Sequence, residues 1–270
     1  MANQFIDSGI KPATPAKNKV VQFETVPAIK LGFSAISLPE VDVINKYVDD
    51  NIDRLPDLSH QLVGQIKQDK RSAQPEFILT DEVPQQLGKF FIECAKTYAA
   101  EHPLTDSMKK NIGEKEDYII KKMWSIHSYA GDYNPLHEHG TVSGRGVSMI
   151  LYLKLPPQVA KLAEGMNAGT LPPQQGKSGS TDGLTQFVWG SSSMYDAPRF
   201  KHSPFAHATP EVGKMVIFPI WLLHQVSPFW GSGERRTMSC NIDIINSPSD
   251  SQLEAASKKE SLHLSERPNV

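Results

Sequence analysis

From residue 117 onward the chain changes texture, and that change limits what it can fold into. Before it, apolar residues recur at helical spacing; after it, short apolar or alternating runs are separated by clusters of Gly, Pro, Asn, Asp and Ser. Helices first and strands afterwards predict an α+β protein in which amino-terminal helices buttress a β-rich core over residues 117–245. Within that core, residues 117–129 read as a strand and residues 130–135, Ala-Gly-Asp-Tyr-Asn-Pro, as a turn by composition. Residues 146–155 are nearly continuously apolar, as a strand covered on both faces requires, so this strand is expected at the centre of its sheet. Further strands are expected over residues 184–189, 214–218 and 236–245.

The front half supplies the packing helices. A strand over residues 28–36 leads to Pro39 and Glu40, which open a helix whose Val41, Ile44, Tyr47 and Val48 fall on one face. A second helix over residues 84–100 gathers Leu87, Phe91, Cys94, Ala95 and Tyr98, with Pro84 suited to its first turn. A chain of 270 residues can bury a full core, and one domain over residues 25–246 accommodates all of these elements. Residues 1–24 read as a flexible polar arm and residues 247–270 as a polar tail. Residues 156–185 carry Pro156, Pro157, Pro172 and Pro173 amid Gly, Ser and Gln, and read as an insertion and candidate lid with little core-forming content.

Composition removes several function classes. A formal charge of −2 leaves no basic excess for a polyanion, so the chain carries no nucleic-acid signature. The two cysteines, Cys94 and Cys240, form neither a CxxC pair nor a disulfide framework, and read as reduced core thiols of a cytoplasmic protein. The amino terminus lacks the basic and apolar regions of a signal peptide, and no apolar run reaches the roughly 18 residues a spanning helix needs. The expectation is a protein neither membrane-bound nor exported by the usual route. Nothing in the sequence fixes its oligomeric state.

The chemistry concentrates in three places. His137 and His139 are separated by one residue, so on an extended strand their side chains point to one face and can share a metal ion. His224 can add a third imidazole from a distant strand. On the last strand, Arg235, Thr237, Ser239 and Asn241 share one face while Met238, Cys240 and Ile242 share the other. A buried arginine beside hydroxyls is costly unless it meets an anion, and an Arg-x-Thr pair offers a fork and a hydroxyl to the distal carboxylate of a dicarboxylic co-substrate. Tyr129 and His127 share a strand face, as do Tyr152 and Ser148, and either tyrosine hydroxyl is a candidate contact for that co-substrate. Asn241 is a candidate for orienting a ligand. His202 and His207 read as rim or loop residues, and Trp221 and Trp230 as walls near His224.

Residues 129–155, the block ending in Phe218-Pro-Ile-Trp-Leu-Leu-His224, and Glu234-Arg-Arg-Thr-Met-Ser-Cys-Asn241 together resemble the 2-oxoglutarate/Fe(II)-dependent oxygenase superfamily. The phrase Gly131-Asp-Tyr-Asn-Pro-Leu-His137 resembles in particular its His-x-His branch, found in marine bacteria and phages and distantly similar to prolyl hydroxylases. The resemblance implies a double-stranded β-helix, or jelly-roll, core. It also implies Fe(II) held by His137, His139 and His224, with 2-oxoglutarate chelating the metal and reaching Arg235 and Thr237. The implied activity is hydroxylation of a small-molecule or peptidyl substrate with release of succinate and CO2. One departure stands out: the common superfamily motif has Asp or Glu where His139 stands. On a regular strand Glu138 points away, but a bulge over residues 135–140 would bring it inward, and Asp132 could serve from the turn. Three imidazoles would leave the ion its full double charge, so a catalytically inactive binding or structural jelly roll that keeps a metal pocket, of the phage-associated kind, is the rival expectation. A three-histidine dioxygenase that uses no 2-oxoglutarate is a further alternative, but it leaves Arg235 and Thr237 without a role.

Overall fold

Strand β10 (Arg235–Ser247) is the spine of the molecule, paired along its length with β3 (Lys115–Ser128) on one side and with β5 (Gly146–Lys154) on the other. The computed structural model describes residues 22–26, 29–64, 66, 72–169, 181–190, 205–249 and 251. Around that spine runs a six-stranded sheet in the order β1 (Gln22–Val26), β2 (Ile29–Ala35), β8 (Lys214–Pro219), β5, β10, β3. A four-stranded sheet takes the order β4 (Asn134–His137), β9 (Leu223–Val226), β6 (Thr185–Val188), β7 (Phe205–Ala208). Every pairing is antiparallel: β3 with β10, β4 with β9, β5 with β8 and β6 with β7. The last eight strands are thus one long hairpin of four strand pairs. The added pairings of β5 with β10 and β6 with β9 roll that hairpin into two sheets, which is the jelly-roll or double-stranded β-helix connectivity. The α+β expectation and its jelly-roll core therefore hold.

The faces follow the sequence pattern. Helices α1 (Leu38–Asn51) and α2 (Glu82–Ala100) bury the apolar sides expected of them, Val41, Ile44, Tyr47 and Val48 on α1 and Leu87, Phe91, Cys94, Ala95 and Tyr98 on α2. A capping box starts α1, with Ser37 and Glu40 each satisfying a backbone amide of the other. These faces join Met123, Met149, Leu151, Met238 and Cys240 in one core on the helix side of the large sheet. Burying each such side chain contributes roughly 1.5–3 kcal/mol. A second core, with Phe33, Ile150, Tyr152, Phe187, Ala206 and Phe218, draws on both sheets. Strand β5 feeds both cores and lies inside its sheet, as its unbroken apolar run required.

Several boundaries differ from the sequence expectation. Residues 22–26, taken partly into the polar arm, form β1, which pairs with β2 as an edge strand. Residues 157–167 lie within the stretch read as an insertion with little core-forming content, yet they form helix α4 (Pro157–Asn167), whose Val159, Leu162 and Ala163 are buried. Their spacing of three and four is an amphipathic stripe, and Pro157 sits at the helix start, where its missing N–H costs nothing. The remainder of that stretch over residues 170–180, His202, residues 1–21 and the tail from residue 252 lie outside the described residues. A further helix, α3 (Asp106–Ile112), is capped by Thr105, which accepts from the Met108 amide.

Candidate metal centre and its cavity

A cavity of about 530 Å³ opens between the two sheets. From β10 it takes Arg235, Thr237, Ser239, Asn241 and Asp243, the face that strict alternation assigns to one side of the strand. From β3 it takes Lys122, Trp124, Ile126 and Ser128. The smaller sheet and the segment after β4 add His137, His139 and His224.

The three histidines converge. Their candidate ligand atoms all lie within 4.8 Å of one another, and their ring centroids are 4.2 Å (His137 to His224), 5.1 Å (His139 to His224) and 5.2 Å (His137 to His139) apart. His137 and His224 are partners across the β4–β9 pairing. His139 lies beyond the end of β4, where its backbone amide donates to the Ile220 carbonyl at 3.1 Å. The regular strand expected across both histidines is therefore absent: β4 stops at His137 and its pairing with β9 is irregular. The convergence survives because Ile220 holds the departing chain against the turn that leads to β9.

Two rings are locked by their own backbone. His137 Nδ1 lies 2.7 Å from the Pro135 carbonyl oxygen and His224 Nδ1 lies 2.9 Å from that of Leu222. A carbonyl only accepts, so both Nδ1 atoms carry the proton and each Nε2 keeps its lone pair for another partner. Burial, and the neighbouring rings, push His224 down to about 3 and His139 to about 4, and burial also lowers His137. All three are neutral at pH 7, the protonation state in which imidazole binds a metal. Trp124 meets His139 edge-on at 5.7 Å, and Phe218 meets His224 at 4.9 Å. Among the described residues no carboxylate joins the cluster. Glu138 is exposed, and an oxygen of Asp132 accepts from the Tyr129 amide at 2.8 Å.

Arg235 is 2% exposed. Its Nε donates to the Gly183 carbonyl at 3.0 Å and an Nη to Thr185 Oγ1 at 3.2 Å, while its guanidinium lies 5.5 Å from the centre of the Tyr152 ring. Among the described residues none of the carboxylates forms an ion pair with it. Its neighbour Arg236 is buried on the opposite face and pairs with Asp49 at 2.6 Å and Glu234 at 2.8 Å.

The other candidates divide. Thr237 and Asn241 line the cavity, and Asn241 Oδ1 is buried with no hydrogen-bond partner. Tyr152 is fully buried and its hydroxyl donates to Thr185 Oγ1 at 3.0 Å, so it serves as a platform beneath Arg235 and lies outside the cavity wall. Tyr129 is a correction: β3 ends at Ser128, and Tyr129 turns outward at 44% exposure into the turn capped by Asp132. His127 also faces away from the cavity, with Nε2 2.9 Å from Ser125 Oγ and Nδ1 2.8 Å from Glu234 Oε1. Trp221 and Trp230 are half exposed and do not line the cavity. His207 lies on β7, away from the histidine cluster. Three residues that sequence reasoning passed over are Thr185, which receives both Arg235 and Tyr152, and Trp124 and Asp243 on the cavity wall. Alternation along β3 and β10 was the signal for the last two; Thr185 had none.

Comparison with known proteins bears on this arrangement. Residues 122–241 match the family described as "Putative 2OG-Fe(II) oxygenase". No curated protein matches the chain. Among solved structures, a prolyl-4-hydroxylase from Pseudomonas putida is 11% identical, over 80% of this chain and 92% of that one, with a TM-score of 0.44. The non-heme α-ketoglutarate-dependent epimerase SnoN from nogalamycin biosynthesis is 10% identical over 78% and 77% of the two chains, with a TM-score of 0.47. HygX from Streptomyces hygroscopicus, with nickel and 2-oxoglutarate bound, is 10% identical over 82% of each chain, with a TM-score of 0.41. No helix among the described residues is long and apolar enough to cross a membrane. The matched stretch takes in most of β3, all three clustered histidines and the β10 residues from Arg235 to Asn241, and over residues 122–241 the chain is similar to that family.

Proposed function

We propose that this chain is an Fe(II)- and 2-oxoglutarate-dependent dioxygenase that hydroxylates a small-molecule or peptidyl substrate. One observation supports this above the rest: a fully buried arginine with no carboxylate partner among the described residues lines the same cavity as three neutral, converging imidazoles. An uncompensated buried cation is costly, and a dicarboxylate bound between Arg235 and the histidines would remove that cost. The donor set fits the metal, since imidazole suits divalent iron and three ligands on one side leave positions for a chelating co-substrate and for dioxygen. Bound there, Fe(II) would supply the redox chemistry that couples decarboxylation of 2-oxoglutarate to succinate with hydroxylation of a substrate C–H bond.

The chain's own residues do the rest. The carbonyls of Pro135 and Leu222 hold His137 and His224 in one tautomer and one orientation, as the outer shell of a metal site does. Arg235, fixed by Gly183, Thr185 and the Tyr152 ring, presents its fork to the distal carboxylate, with Thr237 on the same strand face adding a hydroxyl. Phe218 and Trp124 pack against the ligand rings and keep water from them.

Succinate formation that requires both Fe(II) and 2-oxoglutarate tests the proposal, and its absence from iron-loaded protein that binds 2-oxoglutarate overturns it. One observation favours a second reading, a non-catalytic jelly roll with a metal pocket: the cluster holds an imidazole at position 139 and no carboxylate. Under that reading the purified chain retains zinc and takes up no 2-oxoglutarate.

A further inference from the structure

The cavity holds a buried arginine at one end and a buried carboxylate at the other. Arg235 and Asp243 lie on the same face of β10, eight residues apart, which at about 3.3 Å per residue is roughly 26 Å of strand. The histidine cluster sits between them, because His139 packs on Trp124 and Trp124 pairs with Ser239, four residues from each end. If the Arg235 half takes the five-carbon co-substrate, the Asp243 half is left for whatever is oxidised.

That half holds several buried acceptors whose hydrogen bonds are unfilled. Asp243 is 1% exposed; its Oδ2 accepts from the Val142 amide at 3.1 Å, and its Oδ1 is buried with no partner. Asn241, one step along the same face and 9% exposed, has a partnerless buried Oδ1 as well. Thr141 Oγ1, also on the cavity wall, is a third buried oxygen without a partner. Among the described residues no cation pairs with Asp243. Lys121 and Lys122 of the neighbouring strand also line the cavity, but neither forms an ion pair with Asp243; Lys122, opposite Asn241, donates to Gln61 Oε1 at 2.6 Å. Buried oxygens of this kind are rare unless something with N–H groups meets them, and a carboxylate among them selects for positive charge.

We propose that Asp243 and Asn241 form a substrate subsite for a protonated alkylamine, free or as a lysyl side chain, which holds the charged end of an elongated substrate away from the carbon to be oxidised. Asp243 Oδ1 and Asn241 Oδ1 take two of the ammonium protons, and Thr141 Oγ1, buried on the wall of the same cavity, is a further acceptor. This assignment rests on reading the Arg235 end as the 2-oxoglutarate clamp.

Calorimetric titration of the full chain, loaded with zinc so that nothing turns over, separates the two. The ligands are 2-oxoglutarate alone, then 1,5-diaminopentane, N-acetyl-lysine-N-methylamide and the neutral 1,5-pentanediol, each with 2-oxoglutarate saturating. At least one amine is expected to bind ten-fold or more tighter than the diol. Asp243→Asn, which keeps the shape and the acceptor for Val142, should abolish that preference, and Asn241→Ala should weaken it, while both leave 2-oxoglutarate affinity unchanged. The proposal is overturned if neither amine outbinds the diol, or if both variants, folded by circular dichroism, retain the preference. Amine binding without 2-oxoglutarate binding leaves the subsite standing and removes the proposed function; the reverse removes the subsite alone.

Discussion

Replacing Arg235 by methionine should move stability and ligand affinity in opposite directions, which a purely structural arginine would not do. Methionine keeps most of the length and loses the guanidinium. The structure states what goes with it: hydrogen bonds to the Gly183 carbonyl and to Thr185 Oγ1, and the contact with the Tyr152 ring. Thr185 keeps a donor in the Tyr152 hydroxyl, so only the Gly183 carbonyl is stranded, at about 1–3 kcal/mol. Against this stands the relief of a buried cation that has no carboxylate partner among the described residues, a penalty of several kcal/mol. Without ligand, Arg235→Met should be at least as stable as the parent and up to about 3 kcal/mol more so. At about 2–4 °C per kcal/mol for a domain of this size, that is a Tm between unchanged and roughly 10 °C higher. Losing the charged partner of a bound carboxylate costs about 2–5 kcal/mol, or roughly 30-fold to several thousand-fold in Kd. Thermal unfolding followed by circular dichroism, with zinc present and with or without 2-oxoglutarate, reads both effects. At 100 times the parent Kd the ligand should stabilise the parent by about 2.7 kcal/mol and the variant by less than about 1 kcal/mol. A ligand-free variant that melts well below the parent, or one that 2-oxoglutarate stabilises as much as the parent, would refute the assignment of Arg235 as an anion clamp.

Alanine at His137, His139 or His224 should each reduce metal content at least ten-fold by elemental analysis, and His139→Asp should retain the metal, since the cluster gathers these three side chains within 4.8 Å. Glu234 is held at about 2: burial works against its ionised form, but hydrogen bonds from His127 and Arg236 outweigh it. Its folded pKa lies below its unfolded value, so its contribution, on the order of 3 kcal/mol, is complete above about pH 5 and lost as pH falls towards 2. Acid unfolding curves should therefore be flatter over that window in Glu234→Gln than in the parent. A Cβ on Gly64 would meet the Tyr133 carbonyl oxygen at 2.1 Å, so Gly64→Ala should push its segment off the turn before β4 and cost about 1–3 kcal/mol, with weaker zinc binding in a competition assay.

How much of this could be read from sequence depends on whether the signal is local. The alternation of β10 placed Arg235, Thr237 and Asn241 on the cavity side and Met238, Cys240 and Ile242 in the helix-side core, because a strand's period of two leaves no other choice. The buried stripes of α1 and α2 were equally local. The pairing of Arg236 with Asp49 spans 187 residues, and no local pattern announces such a pair. Tyr129 was misplaced because one residue decides whether a strand continues or turns, and Asp132 turns it. Helix α4 carries a local signal as well, in the helical spacing of Val159, Leu162 and Ala163 behind Pro157, but it lies among prolines that argue against a helix. His139 joined its cluster by a route the sequence does not display, through the Ile220 carbonyl rather than a continuous strand.

The carbonyls that fix His137 and His224 each come from the residue two positions earlier in the chain. In many metal sites that task falls to a carboxylate side chain, which a single codon change can remove. Here the task is done by main chain, which is present whatever the codon at Pro135 or Leu222 specifies. Aim at the metal is therefore insulated from drift in the surrounding side chains. The walls around Asn241 and Asp243 are free to be reshaped for new substrates without retuning the ligands, a separation that suits the scaffold to diversification in nature and to redesign in the laboratory.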